Sequence, residues 1–301
     1  MTLRRRFYLP LVIVVVQSIG QIGNRLEQFS QLIAFARDHN VKIVDPAFSL
    51  YAEFFEHTHR DLLCRYPSKR APWVTKPLQR LCYYVLRLGA ALRLLRLVPN
   101  SVWIEQHWTA EEYDLGNPHF VEFVRTKRFV FLTGTWMHRY WQNYETHLDA
   151  TREHFRLIPE LREKVEQHFA PIRQAGDVVV GIHIRQGDVA TDPGRRDSFR
   201  TDAYVRVMRK IQSLFPERRV VFLVCSNEKQ DSSLFEGLTL FRGPGSFIED
   251  MYILAECDYI VGAGQSSFSG WASLMGQKPR YALFETEGEI RLADFKVCKG
   301  M

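Results

Sequence analysis

The run Val178-Val179-Val180-Gly181-Ile182-His183-Ile184 reads as a strand buried on both faces, and it stops abruptly at Arg185-Gln186-Gly187-Asp188. Such a strand belongs inside a sheet covered on both sides, which points to a parallel α/β sheet. In an open sheet of that kind, ligands bind just beyond the carboxyl ends of the strands. An arginine placed there presents several donors to a phosphate at once, and a glycine beside it lets the backbone turn tightly. These residues predict a phosphate-bearing ligand.

The C-terminal half alternates cleanly. Strands are predicted at 178–184, 220–224, 259–261 and 280–283, with helices near 202–215, 248–256 and 268–275, a doubly wound lobe. The N-terminal half opens as βαβ: a strand over 11–16, a glycine loop over 18–24, a helix from about 25 to 38 and a strand over 41–44. Leu26, Phe29, Leu32, Ile33 and Ala36 keep helical spacing within it. Arg4-Arg5-Arg6 and the apolar run that ends at Val16 mimic a targeting signal. That run has about eight residues, far below the roughly 20 needed to span a bilayer, so it reads as a first buried strand.

The stretch 76–98 reads as one long apolar helix studded with Arg80, Arg87, Arg93 and Arg96, interrupted at Gly89 and ended by Pro99. It suits a helix packed on the sheet with arginine stems along the edge, or an interfacial helix in peripheral contact with a membrane. The arginines do not share one face at helical spacing, which favours the first reading. A strand at 129–132 and an aromatic segment from Trp136 to Tyr144 follow. The boundary between the two lobes falls near 155–175 and divides 1–165 from 166–301.

A chain of 301 residues holds one large or two ordinary domains. A net charge of +6 suits an anionic substrate, nucleic acid or an anionic membrane. No RNA-binding or helix-turn-helix signature stands out, so nucleic acid is not the expected partner. Cys64, Cys82, Cys225, Cys257 and Cys298 form no Cys-x-x-Cys pair, which excludes a zinc ribbon or redox dithiol, and their odd number argues against a disulfide framework. A reducing compartment is the simpler reading.

Two further strand ends carry candidate site residues. After Asp258–Gly262 the chain turns at Ala263-Gly264-Gln265, and Ser266-Ser267-Phe268-Ser269 opens a helix with Ser266 or Ser267 as its cap. Free N–H groups at such a start bind anions. Ser226-Asn227 at the end of Val220–Val224 supply short polar side chains suited to a base or ribose. His183 and Arg185 lie two apart and point to one face. Each feature alone also reads as an ordinary turn or cap, whereas two anion-suited strand ends in one lobe favour a shared phosphate ligand. Gly23-Asn24-Arg25 open a helix in the other lobe and could face that ligand across a cleft.

These motifs resemble a family. His183-Ile184-Arg185-Gln186-Gly187-Asp188 is similar to the H-x-R-R-G-D motif of α1,2-fucosyltransferases (glycosyltransferase family 11) and their α1,6- and protein O-fucosyltransferase relatives. Ser266-Ser267-Phe268-Ser269-Gly270-Trp271-Ala272 resembles S-S-F-S-W-W-A, and Gly20-Gln21-Ile22-Gly23-Asn24-Arg25-Leu26 resembles G-x-L-G-N-Q-[ML]. Tyr140-Trp141-Gln142-Asn143 is similar to G-Y-W-Q-S, and Ser226-Asn227 stand where the family has S-[DN]-D. The motifs come in family order across nearly the whole chain. Gln186 and Gly270 depart from the pattern, standing in place of an arginine and a tryptophan.

The resemblance implies an α/β fold of the GT-B type, two Rossmann-like lobes with a donor cleft between them, the acceptor on the N-terminal side and GDP-fucose in the C-terminal lobe. It implies inverting fucose transfer to a hydroxyl of a glycan acceptor, α1,2 linkage, and no bound metal or other cofactor. Donor-binding residues would be Gly23, Asn24, His183, Arg185, Asp188, Ser226, Asn227, Ser266, Ser267 and Phe268. Arg185 and the helix start would stabilise charge developing on the departing GDP. Asp192 is the first candidate for the base, with Asp188 and Asp197 as alternatives. If the family's second arginine contacts the donor, Gln186→Arg should tighten GDP binding by roughly 1 kcal/mol. The alternatives are a nucleotide-sugar-binding protein without turnover, or a transferase using another donor; no Walker-type loop supports a sulfotransferase. The expected location is cytoplasmic, peripheral at the inner membrane face if residues 76–98 touch lipid.

Overall fold

The computed structural model describes residues 11–106, 113–134, 138–186, 199–284 and 288–300. The chain divides into two compact units, Met1–Ile158 and Pro159–Met301.

In the first unit β1 (Val12–Val15) leads to α1 (Ile22–His39) and then β2 (Lys42–Val44), which lies parallel to β1 as expected of a βαβ opening. The turn between β1 and α1 needs Gly20, whose φ is +96°. The glycine loop is shorter than its composition predicts, because Gly23 and Asn24 lie in the first turn of α1. Tertiary bonds override their weak helix propensity: the Arg25 guanidinium donates to the carbonyls of Gly20 at 3.0 Å and Ala47 at 2.8 Å. The helix ends at Asn40 in the left-handed region, with its N–H bonded to the Ala36 carbonyl.

β3 (Arg65–Tyr66), α2 (Lys76–Ala91), β4 (Ser101–Gln106), β5 (Tyr113–Asp114), α3 (Pro118–Arg125), β6 (Phe129–Gly134), β7 (His138–Arg139) and α4 (Leu148–His154) complete this unit. The main sheet has the order β3-β2-β1-β6-β4, antiparallel only at β3. Helix α2 is shorter than predicted. It runs through Gly89 unbroken and stops at Ala91, where Arg93 takes a left-handed φ of 59° and residues Leu94–Leu97 form a separate 3-10 turn.

Helix α1 buries polar residues as well as its apolar stripe. Gln28 accepts from Ser18 Oγ at 2.8 Å and meets His138 Nδ1 at 3.0 Å. Gln31 Oε1 accepts from the Tyr140 N–H at 2.7 Å, and Glu27 pairs with Arg139 at 3.3 Å. Burial raises the Asp38 carboxyl, but bonds from Tyr140, Asn143 and His147 outweigh it and hold the group at about 2. The motif Tyr140-Trp141-Gln142-Asn143 therefore anchors α1.

Two other buried groups of this unit titrate with opposite signs. Burial pushes Asp45 up to about 7, against the Arg25 charge and the Phe48 and Ala47 N–H groups, which lower it. Burial, aided by His57, pulls His154 down to about 3. A raised carboxyl pKa gives stability that is present below the unfolded value and lost as pH climbs toward 7; a depressed histidine gives stability lost as pH falls. We expect Asp45→Asn, which keeps an acceptor for the Phe48 N–H, to gain several degrees in Tm over wild type between pH 4 and 7. Thermal melts of the two proteins side by side check this, and a difference independent of pH would contradict it.

The second unit contains α5 (Pro159–Ala175), β8 (Val178–Ile184), α6 (Thr201–Ser213), β9 (Val220–Ser226), β10 (Thr239–Arg242), α7 (Phe247–Leu254), β11 (Tyr259–Ala263), α8 (Ser267–Gly276), β12 (Pro279–Leu283) and β13 (Lys296–Val297). The charged segment around Pro159 and Pro171 is thus a helix opening this unit. Strand order is β10-β9-β8-β11-β12-β13, parallel except at β13. Counted from β8, the first five strands follow 3-2-1-4-5, the doubly wound Rossmann order. Every residue of β8 is buried. Val178, Val180, Ile182 and Ile184 share a core with Tyr204, Met208 and Ile211 of α6. At Gly181 a Cβ would meet Leu254 Cδ2 at 2.6 Å and Cys257 Sγ at 2.9 Å, so glycine lets these residues approach the sheet. All five cysteines are free.

Candidate functional site

In a doubly wound sheet the ligand crevice opens where the strand order reverses, outside the carboxyl ends of the strands. Here that point lies between β8 and β11, and it brings together two of the strand ends singled out in the sequence. His183 of β8 stands opposite Gly262 of β11. The His183 ring is buried and stacks on Phe268 of α8, centroids 4.5 Å apart and planes 22° apart. Its Nδ1 lies 3.2 Å from Ser266 Oγ, with donor and acceptor set by the tautomer.

Ser266 is the N-cap of α8, and its hydroxyl oxygen accepts from the Ser269 N–H. Helix geometry leaves the N–H groups of Ser267 and Phe268 without partners in the helix, beside the positive end of the dipole. Ser267 and Phe268 are half-buried, as is Arg185 just beyond β8. Arg185, Ser267 and Phe268 thus belong to the two strand ends that flank the switch point, and this arrangement can hold an anion.

Two residues not assigned from sequence position the α8 start. Buried Arg280 donates to Ser269 Oγ at 3.0 Å and to the carbonyls of Ala263 and Gly264, which fixes the β11–α8 turn. Gly262 lets the helix approach, since a Cβ there would meet Ser269 Oγ at 2.3 Å. A charged residue inside the apolar run of β12 was the available signal for Arg280; nothing local marked Gly262.

At the third strand end the polar groups bond one another at the surface. The Gln186 N–H donates to Asn227 Oδ1 at 3.0 Å, and Asn227 Nδ2 donates back to the Gln186 carbonyl. The Gln186 amide donates to Thr201 Oγ1 at 3.0 Å and accepts from Gln230 Nε2 at 3.1 Å. Gln230 also donates to Ser226 Oγ at 3.0 Å and accepts from Thr201 at 2.6 Å. Gln186 therefore ties the ends of β8 and β9 to the start of α6, which favours a site built around the amide over a simple lost donor contact. Arginine has no acceptor to offer Gln230. We expect Gln186→Arg to leave GDP affinity unchanged or weaker and to cost about 1–2 kcal/mol of stability. Calorimetric titration and denaturant melts of the variant check both; a tightened GDP complex would contradict it.

Gly23 and Asn24 belong to the first unit, Gly23 buried and Asn24 half-buried. Asp188, Asp192 and Asp197 lie outside the described residues, as does Gly187.

Residues 92–286 match the model of glycosyl transferase family 11. The chain belongs to glycosyl transferase family 11. Solved structures similar to this family 11 chain include a mutant of Arabidopsis thaliana FUT1 in complex with GDP, 12% identical over 97% of this chain and 75% of that one, TM-score 0.59. POFUT1 in complex with GDP is 11% identical over 92% and 98%, TM-score 0.55. The fucosyltransferase NodZ from Bradyrhizobium is 15% identical over 93% and 97%, TM-score 0.54. These likenesses show the fold: the family 11 chain has the expected α/β architecture of the GT-B type, with two Rossmann-like units. No curated protein sequence matches it.

Proposed function

We propose that this family 11 protein transfers fucose from GDP-fucose to a hydroxyl of a glycan acceptor, forming an α1,2 linkage with inversion and without a bound metal. The observation that carries this reading is the β8–β11 switch point, where the strand end followed by Arg185 and the strand end followed by the α8 start lie side by side in a family 11 chain. The structures of a FUT1 mutant and POFUT1 are complexes with GDP, and NodZ was co-crystallised with GDP.

In this reading the second unit holds the donor and the first unit faces the acceptor. Arg185 and the N–H groups of Ser267 and Phe268 meet the β-phosphate. As the acceptor oxygen bonds to the anomeric carbon, the bond from that carbon to the phosphate oxygen breaks and negative charge grows on GDP. Donors already aimed at that oxygen stabilise it without reorganising. His183 positions the helix start through Ser266 and stacks on Phe268. Ser226 and Asn227 border the nucleoside. The acceptor proton passes to a carboxylate, Asp192 first and Asp188 or Asp197 otherwise.

The test is calorimetry with GDP-, UDP- and CMP-sugars in the presence of a chelator, followed by a transfer assay with GDP-fucose. GDP and GDP-fucose should bind selectively, and ligand at about 100 times its Kd should raise stability by roughly 2.7 kcal/mol. A requirement for a divalent ion, or preference for another nucleotide, would overturn the reading. Binding without transfer to any acceptor would favour a nucleotide-sugar-binding protein.

A further inference from the structure

Helix α2 has two faces of different fate. Gln79 and Tyr83 are buried: Gln79 Nε2 donates to the carbonyls of Thr58 at 2.7 Å and Asp61 at 2.8 Å. Two turns beyond Tyr83, Ala90, with Leu95 and Val98 beyond the helix, packs against Val14, Val16 and Phe131. That inner face accounts for how the helix is held. The outer face carries Leu81, Tyr84, Val85, Leu88 and Leu92, spaced by three and four residues, and all five are more than half exposed. At about 100° per residue they span an arc of about 100°. Trp73 before the helix is 64% exposed, and Leu94 and Leu97 after it 53% and 78%. An apolar stripe of this extent is what a surface keeps for a partner.

The charge around the stripe selects the partner. From Leu62 to Ile104 the chain has eight Lys and Arg and no Asp or Glu, although the whole protein carries only +6. The remainder is therefore slightly acidic, and the positive charge is concentrated on the segment that bears the stripe. The four arginines do not share one helical face, as the sequence predicts. Arg80 and Arg87 lie seven apart, two turns along one edge of the arc, with Arg80 half-buried and paired with Glu53 at 4.0 Å, while Arg93 and Arg96 lie beyond the helix end. Arg87 and Arg93 are exposed and make no ion pair among the described residues.

We propose that the outer face of α2 lies in the interface of an anionic lipid bilayer, with Trp73 and the leucines among the acyl boundary and the flanking cations at the headgroups. An amphipathic helix with this arrangement binds in the membrane plane, and basic residues beside it are drawn to anionic lipid within a Debye length. Spanning is excluded for this element: sixteen residues cover about 24 Å, short of the roughly 30 Å hydrocarbon core, and no helix among the described residues is long and apolar enough to cross. A second copy is disfavoured because it would set two strongly cationic segments against each other.

The test is co-sedimentation of the full chain with vesicles of phosphatidylcholine containing phosphatidylglycerol, and of phosphatidylcholine alone, at low and high salt. Binding is expected to the anionic vesicles only and to fall with salt. Leu88→Glu, and separately Arg87→Gln with Arg93→Gln, should each reduce partitioning at least tenfold while leaving Tm and GDP affinity at wild-type values. Equal binding to neutral vesicles, no binding to either, or undiminished binding of Leu88→Glu would overturn the proposal. So would a lipid-free dimer in analytical ultracentrifugation that Leu88→Glu dissolves, which would assign the face to a second copy. The readout does not use fucose transfer, so it stands or falls apart from the proposed activity.

Discussion

Replacing Arg185 with alanine is expected to reduce transfer by about 10²–10³-fold while the protein keeps its fold. The residue follows the last strand position of β8 and is half-buried, outside the core that Val178, Val180, Ile182 and Ile184 build with α6. Removing it leaves that core packed. In the proposed reaction it removes a fork of donors aimed at charge that grows only as GDP departs, a loss of about 3–4 kcal/mol in transition-state stabilisation. Arg185→Lys should recover little, because a single ammonium cannot reproduce two parallel bonds to phosphate oxygens. Single-turnover transfer and a thermal melt on the same preparation separate the outcomes. Near-wild-type turnover in a folded variant removes Arg185 from the phosphate. A collapse in Tm makes it a structural residue instead.

The second large effect is expected at Gly262, whose backbone touches no ligand in the proposed mechanism. Its Cα faces α8 so closely that an added Cβ would stand 2.3 Å from Ser269 Oγ and 2.7 Å from Ser269 Cβ. Ser269 cannot simply turn away, since its hydroxyl accepts from Arg280 and its N–H is capped by Ser266. Gly262→Ala must therefore shift the start of α8 or break that set of bonds. Overpacking of this kind costs about 1–3 kcal/mol. Because the helix start supplies the Ser267 and Phe268 N–H groups, GDP affinity should fall together with stability. Calorimetry and denaturant melts of the variant check this. A stable variant that binds GDP as wild type does would show that the helix start is not part of the donor site.

The alternation of apolar strands and amphipathic helices was legible without coordinates, because the period of side-chain direction follows from local backbone geometry. β8 runs over the residues its apolar run predicts, and β9, β11 and β12 need shifts of only one or two residues at their ends. The anion-suited character of the α8 start was legible for the same reason, since a cap and its free N–H groups are properties of a few consecutive residues. Arg185 could be singled out because it directly ends a buried strand.

Pairings between distant segments were not legible. Gln186 looked like an arginine lost from a donor site, and only the approach of Thr201 and Gln230, 15 and 44 residues away, shows its amide engaged within the protein. Arg280 and Gly262 acquire their roles from α8 packing across them. The polar side of α1 acquires its role from the segment His138–His147, more than 100 residues on. The outer face of α2 presented the same difficulty in reverse: its leucines suited either a helix packed on the sheet or an interfacial one, and only the structure left them exposed. Local order follows from short-range periodicity that one segment carries by itself. Burial and hydrogen-bond partners depend on which surfaces meet after the chain closes, and that was decided by the tertiary structure alone.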